Sequence, residues 1–150
     1  PVLTEFNSSL SSGNISFSGQ DDIIILTGSG TTVAGKSGND LYLVSELIPK
    51  NSKIEIIDTE GSNIIQIPDN TYIDDTLFTK NATRLTLSDG REITISNADK
   101  FTYNLGANIT TGDTSDNLTY SQFASAFGVD DILSLDSGTI SGTITDTYII

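Results

Sequence analysis

The sequence predicts an all-β domain, in which a short right-handed parallel β-roll is followed by a β-hairpin region with one short helix. Three observations support this prediction. The chain is rich in Asp, Asn, Ser, Thr and Gly, which favour turns, and its main apolar residue is the β-branched Ile. Glycines recur about every nine residues near the start, each followed by a short apolar run. Farther along, an Asp-Gly pair separates two segments of alternating polarity.

The repeat is clearest at Gly19, Gly28 and Gly38. A unit made of a glycine turn and a three-residue strand is typical of a parallel β-roll. Isoleucine-rich segments at 54–57 and 64–67, with a polar turn between them, continue the theme more loosely. We therefore predict roll-like repeats over residues 13–67.

Residues 84–150 are predicted to hold a hairpin, a helix and C-terminal strands. The segments 85–87 and 92–95 alternate on either side of Asp89-Gly90, which predicts the hairpin. Residues 120, 123, 124 and 127 are apolar or aromatic and lie on one helical face, which predicts the helix. Thr119 or Ser121 can cap it, and Gly128 is placed to end it.

No linker rich in Pro or Gly divides the chain, so residues 1–150 are expected to form a single domain. Because the sequence starts at Pro1 without Met, we expect it to be a fragment of a larger exported protein.

Composition and charge exclude several classes of function. The formal charge is −13, from 20 acidic and 7 basic residues, which argues against a nucleic-acid partner. The absence of Cys and His removes thiolate nucleophiles and His-dependent triads, so no enzymatic activity is predicted. No apolar segment reaches the roughly 18 residues that span a bilayer, so membrane insertion is not expected.

The strongest motif is the segment 35–43, which matches most of the pattern G-G-x-G-x-D-x-U-x, with Lys36 in place of the second glycine. The segment 18–24 carries the same G-x-D core one coil earlier. These segments resemble the calcium-binding repeats of the RTX family of secreted bacterial proteins. In that family two nine-residue units form one coil, and calcium lies between turns stacked on one edge.

The resemblance implies that Ca²⁺ is held by residues Gly19, Asp21, Gly38, Asp40 and Asn63. Asp21 and Asp40 lie about one coil apart and are therefore expected to stack on the same edge. Carboxylate and carbonyl oxygens are the ligands that calcium requires. The sequence departs from the family at Gly30 and Asn63, which stand where a carboxylate is expected. The alternative is that Asp21 and Asp40 are ordinary turn residues.

Asp113 and Asp116 form a second candidate ion loop, three residues apart in a polar segment. The segment does not match the EF-hand pattern, which needs alternating ligands and a closing Glu. The alternative is that this segment simply leads into the helix.

The second half resembles regions found beside such repeats in bacterial surface and type I secreted proteins, through segments 85–90, 93–95, 101–103 and 118–123. Together the two resemblances imply a calcium-stabilised, non-catalytic module with an adhesin, surface-layer or extracellular structural role. Two alternatives are a module that binds polysaccharide or peptide and an ancillary domain of an extracellular enzyme. The expected location is extracellular or the bacterial cell surface.

Overall fold

The computed structural model describes residues 3–6, 13–16, 19–26, 30–44, 46, 48–107, 117–135, 140–142, 144 and 147–150. This part of the chain is mostly β, with two mixed sheets and one α-helix. The prediction of a β protein with one short helix is confirmed.

The strands in this part of the chain are β1 (Leu3–Phe6), β2 (Gly13–Ser16), β3 (Asp22–Ile25), β4 (Thr31–Ala34), β5 (Leu41–Leu43), β6 (Lys53–Ile57), β7 (Asn63–Pro68), β8 (Tyr72–Phe78), β9 (Ala82–Leu87), β10 (Glu92–Ser96), β11 (Phe101–Ala107), β12 (Asn117–Leu118) and β13 (Tyr148–Ile149). The helix α1 spans Tyr120–Ala126, and short 3-10 helices occupy Ala98–Lys100 and Ile132–Ser134.

Consecutive strands from β1 to β7 alternate between the two sheets. The odd-numbered strands pair in parallel in a six-stranded sheet, here called sheet A, in the order β1-β3-β5-β7-β11-β12. The even-numbered strands β2, β4 and β6 pair in parallel in the seven-stranded sheet B, whose order is β13-β8-β9-β10-β6-β4-β2. Each strand from β3 to β7 therefore hydrogen-bonds to the strand two positions earlier in the sequence.

An antiparallel meander interrupts this alternation. Strands β8, β9 and β10 pair antiparallel in sheet B, and β10 then lies parallel to β6. The chain returns to sheet A as β11, parallel to β7. The predicted hairpin around Asp89 is β9–β10 and is confirmed. A register shift in β8 occurs where Asp74 and Asp75 interrupt the apolar pattern.

The core lies between the inner faces of the two sheets. Buried and half-buried residues alternate along β3, β6, β7 and β10, as expected when one face of each strand packs inward. Ile24 and Ile65 of sheet A and Ile56 and Ile95 of sheet B are fully buried. Burying such a side chain contributes about 1.5–3 kcal/mol, so the buried Ile residues of both sheets contribute substantially to stability.

Helix α1 packs against β11 and β12, at the last strands of sheet A. Thr119 accepts a hydrogen bond from the Gln122 backbone, and the Gln122 side chain accepts one from the Thr119 backbone, which forms a capping box. The ring of Phe123 stacks on Tyr103 at 4.1 Å between centroids and meets Phe78 edge-on at 5.9 Å. The aromatic side chains of the predicted helix therefore pack in the core.

The C-terminal strand β13 pairs antiparallel with β8, and Ser141 forms an isolated bridge with Phe78. Among the described helices, none has the length and apolar character to cross a membrane.

Candidate functional site

The candidate site is the edge formed by the turns that precede β3, β5 and β7, here called the acidic turn edge. Its outer positions are Asp21, Asn39 and Ser62, which are exposed, and its inner positions are Asp22, Asp40 and Asn63, which are buried. Parallel pairing of the three strands places these turns directly above one another. The edge forms because each short strand starts immediately after its polar turn.

At the outer positions, side-chain oxygens bind the backbone of the next turn. The Asn39 backbone N–H donates to Asp21 Oδ1 at 2.8 Å, and the Ser62 backbone N–H donates to Asn39 Oδ1 at 2.8 Å. These bonds span 18 and 23 residues, so the second coil is longer than the first. Each Asp or Asn thus stabilises the stack by satisfying a backbone donor that the turn leaves unpaired.

At the inner positions the bonds run in the opposite direction. The Asp22 backbone N–H donates to Asp40 Oδ1 at 2.9 Å, and the Asp40 backbone N–H donates to Asn63 Oδ1 at 2.8 Å. The Asn63 amide in turn donates to the Glu60 carbonyl at 2.8 Å. A side-chain amide can donate one hydrogen bond while it accepts another, which explains why Asn63 fits the buried end of this series of hydrogen bonds.

Beneath the turns, Asp40, Asp58 and Tyr42 converge on Gly35 and form a buried carboxyl cluster. The Tyr42 hydroxyl donates to Asp58 Oδ2 at 2.6 Å and accepts from the Gly35 backbone N–H at 2.7 Å. A Cβ atom at Gly35 would collide with Asp40 Oδ2 and Tyr42 Oη, and would lie 2.7 Å from Asp58 Oδ2. Glycine is therefore needed because three oxygens occupy the space that a side chain would take.

The cluster favours the protonated form of Asp40. Burial, a hydrogen bond shared with Asp58, and the charges of Asp58 and Asp22 raise the pKa of Asp40 to about 7, although the bond from the Asp22 backbone opposes this. Two ionised carboxylates cannot hydrogen-bond to each other, so Asp40 Oδ2 gains a partner in Asp58 only when one of them carries a proton. Burial and the bond to Asp58 also raise the pKa of Tyr42.

Two glycines allow the turns to approach closely. Gly38 and Gly61 have φ of +106° and +78°, a region that favours glycine. A Cβ at Gly38 would lie 2.5 Å from the Gln20 carbonyl oxygen, and one at Gly61 would collide with the Gly38 carbonyl oxygen.

The structure brings together five residues that the sequence assigned to calcium: Gly19, Asp21, Gly38, Asp40 and Asn63. The expected stacking of Asp21 on Asp40 is wrong by one residue. The coil repeats after 18 residues, so Asp22 stands in register with Asp40, and Asp21 contacts Asn39. Adjacent residues at a strand end face opposite sides, so Asp21 is exposed while its neighbour Asp22 is buried. Asp40, which is in register with Asp22, is buried as well. Asp113 and Asp116 lie outside the described residues.

Sequence reasoning missed Asp22, Asp58 and Tyr42 as members of the site. Tyr42 occupies the large apolar position of the repeat motif, which was the available signal that it points inward. No local pattern in the sequence indicates that the Asp58 carboxyl lies next to Gly35.

The described residues contain no group of three or more acidic side chains arranged to hold one metal ion. Calcium takes six to eight oxygen ligands, so backbone carbonyls would have to supply most of them here. Gly19 and Asp21 are exposed residues of the edge, and their oxygens accept hydrogen bonds from the Ser37 hydroxyl and the Asn39 backbone N–H.

Comparisons with protein-family models, with curated proteins and with solved structures found no match to this chain. The functional argument therefore depends on the geometry of the described residues.

Proposed function

We propose that this chain is a calcium-stabilised, non-catalytic module of a secreted or cell-surface bacterial protein, with an adhesive, surface-layer or extracellular structural role. One observation carries the proposal: the stacked turns hold the buried carboxyls of Asp40 and Asp58 beneath the exposed carboxylate of Asp21, and neither buried carboxyl forms an ion pair with a Lys or Arg of the described residues. Buried carboxylates without a countercharge require either protons or a bound cation.

We further propose that the parallel part of the fold is a short β-roll of the RTX type. Its support is the alternation of β1 to β7 between two sheets and the 18-residue spacing of the first two turns at the acidic turn edge. Two nine-residue units per coil account for that spacing. The longer second coil and the amides at Asn39 and Asn63 make it a degenerate example.

In this proposal calcium acts by shifting the folding equilibrium. Because the formal net charge is −13, the carboxylates repel one another and oppose compaction of the chain. A cation that binds only the folded turns stabilises them by RT ln(1 + [L]/Kd), about 2.7 kcal/mol at a hundredfold excess over Kd. Such a module would fold preferentially outside the cell, where calcium is abundant. The ligand set would be the Asp21 carboxylate with carbonyls of the turns that contain Gly19 and Gly38.

The test compares melting temperatures of calcium-stripped protein in chelator, in calcium and in magnesium. Calcium alone should raise the melting temperature. Asp21→Asn should reduce that rise by at least half, because the amide keeps the hydrogen bond to Asn39 but loses the charge. Asp75→Asn, at an exposed residue of β8, is the matched control and should leave the rise unchanged.

Two results would overturn the calcium proposal. One is a melting temperature that is the same in calcium and in chelator. The other is a rise that Asp21→Asn and Asp75→Asn reduce equally, since this would indicate general screening of negative charge and not a site.

A second candidate function, polysaccharide binding, is favoured by the position of Tyr72. Of the other tyrosines, Tyr42, Tyr103 and Tyr120 are buried, and Tyr148 is half-buried against Phe127. Tyr72 is 47% exposed and pairs in register with Ile149 on β13. An exposed aromatic ring offers an apolar face and a hydroxyl, as sugar binding requires.

A glycan array tests this second function. Tyr72→Ala should abolish any binding, while Leu133→Ala, at another exposed apolar residue, should not. Binding that survives Tyr72→Ala would exclude this surface.

A further inference from the structure

Two exposed apolar side chains lie side by side where β13 and β8 form the edge of sheet B. Tyr72 and Ile149 are two of the four large apolar side chains that are exposed among the described residues. They are direct partners in the antiparallel pairing of β8 with β13, so both project from the same face. Because Ile73 is fully buried, that face is the outer one. The pair is here called the Tyr72 platform.

Two carboxylates lie next to the platform on β8. The register of β8 with β9 shifts just before Asp75, which leaves Asp74 as an extra residue in the strand. Thr76 is buried, so Asp75 faces outward, on the same side as Tyr72. Asp74 is also exposed and accepts a hydrogen bond from the Thr147 hydroxyl at 2.6 Å. Alternate positions on a strand are about 7 Å apart, so a sugar that stacks on Tyr72 has its substituents near these carboxylates.

The surroundings of the platform are acidic. Neither β8 nor β13 contains Lys or Arg, and Lys80 lies beyond the opposite end of β8. On the adjoining strand β9, Arg84 forms an ion pair with Glu92 at 3.4 Å. In the turn that follows β9, Arg91 forms an ion pair with Asp89 at 2.9 Å. Together with the net charge of −13, this arrangement favours a cationic ligand and opposes an anionic polysaccharide.

An aromatic ring beside carboxylates can bind an organic ammonium group in two ways. The face of the ring attracts a cation, and the carboxylate oxygens accept charge-assisted hydrogen bonds from its N–H groups. An amino sugar uses both, because its C–H groups stack on the ring while its amine reaches a carboxylate. A peptide binds most readily as an added strand or as a helix in a groove, but the edge of β8 is already paired with β13.

We propose that the Tyr72 platform binds polysaccharides of amino sugars whose amines are not acetylated. One sugar ring stacks on Tyr72, and its ammonium group donates to Asp74 or Asp75. This inference rests on the second candidate function, polysaccharide binding, and narrows it to one class of substrate. It uses no residue of the acidic turn edge and does not depend on calcium binding there.

The test titrates the unaltered chain with a short oligomer of glucosamine and with the N-acetylated form of the same oligomer. Binding is followed by backbone amide NMR shifts at about 0.15 M salt, where distant charge attraction is screened. We expect the glucosamine oligomer to shift amides of residues 71–75 and 147–150. The acetylated oligomer should bind at least about tenfold more weakly, because it has lost the charge that the carboxylates recognise. A lysine peptide with the same number of amines, which lacks the sugar ring, should also bind more weakly.

Two double variants with the same change in charge separate a site from general attraction. Asp74→Asn with Asp75→Asn should weaken binding of the glucosamine oligomer about tenfold, since neutral hydrogen bonds are the weaker kind. Asparagine at 74 keeps an oxygen for the Thr147 hydroxyl, so the pairing with β13 is expected to remain. The matched control is Asp99→Asn with Asp131→Asn, at exposed residues elsewhere, which should leave the affinity unchanged. Asparagine tolerates the left-handed φ of +56° at position 131.

The outcomes distinguish this inference from the function on which it rests. Equal affinity for the two oligomers, lost in both cases with Tyr72→Ala, would overturn the preference for amino sugars and leave polysaccharide binding in place. Binding of neither oligomer, with no ligand on a glycan array, would overturn both. Tighter binding of the lysine peptide would overturn the inference, because the partner would then be a basic protein segment. So would equal losses in the two double variants, because net charge alone would then explain the binding.

Discussion

The buried carboxyl of Asp40 should make the protein less stable as the pH rises. Its pKa is raised from 3.8 to about 7, chiefly by burial. Between these values the folded protein keeps a proton that the unfolded chain has lost, so stability is complete near pH 4 and falls as the pH approaches and passes 7. At 1.36 kcal/mol per pKa unit the full shift corresponds to about 4 kcal/mol, and with partial screening by solvent we expect a loss of about 2–4 kcal/mol.

Asp40→Asn should remove this dependence on pH. Asparagine keeps the oxygen that accepts from the Asp22 backbone, and its amide can donate towards Asp58 without carrying a charge. We expect the variant to match the unaltered protein near pH 4 and to be about 2–4 kcal/mol more stable at pH 8. Urea unfolding in chelator, followed by circular dichroism at both pH values, measures the difference. Asp99→Asn, at an exposed residue, is the control and should show no such gain.

The reasoning would be refuted by an unaltered protein whose stability is constant between pH 4 and pH 8. It would also be refuted if Asp40→Asn changed stability by the same amount at both pH values, because the effect would then come from packing and not from a proton.

Three further substitutions test the stacking and the core. Gly38→Ala should cost about 1–3 kcal/mol in urea unfolding, because φ is +106° and the new Cβ would crowd the Gln20 carbonyl; a cost below about 0.5 kcal/mol would contradict the close stacking of the turns. Phe123→Ala should cost about 3–5 kcal/mol, because its ring stacks on Tyr103 in the core, and an unchanged urea midpoint would disprove that packing. Thr119→Ala should cost about 1 kcal/mol by removing the capping box, and thermal melts should detect it; no loss would show that the cap contributes little.

Local signals were sufficient for most elements. The hairpin at Asp89 and the helix after Thr119 follow from turn chemistry, capping and helical spacing, which act within a few residues. The strand at Leu41–Leu43 follows from an apolar run bounded by turn residues.

The register between coils could not be obtained from local signals. Alignment of the glycines matches Asp21 with Asp40, but the structure pairs Asp22 with Asp40. A shift of one residue would turn Ile24 outward while Tyr42 still faced the core, so burial of the apolar side chains decides the register. The acidic motif alone cannot distinguish the two registers, because Asp21 and Asp22 are adjacent in the sequence.

The buried carboxyl cluster was also beyond local prediction. Asp58 lies in a polar segment after a strand, which is ordinary for a turn residue. Its contact with Tyr42 depends on how the two sheets face each other, and this is set by long-range packing. The apolar outer side of β3 and β5 could have been anticipated, because the runs at 23–26 and 41–44 are continuously apolar and do not alternate.

The 18-residue step between the first turns has a consequence for how such a protein can change in length. Each strand from β3 to β5 bonds only to its neighbours in the stack, so one coil is a removable unit. Deletion of residues 22–39 would remove β3 and β4, join Asp21 directly to Asp40, and bring β1 beside β5 and β2 beside β6. Insertions and deletions of 18 residues should therefore be tolerated in evolution, while those of 17 or 19 residues would reverse which side chains face the core.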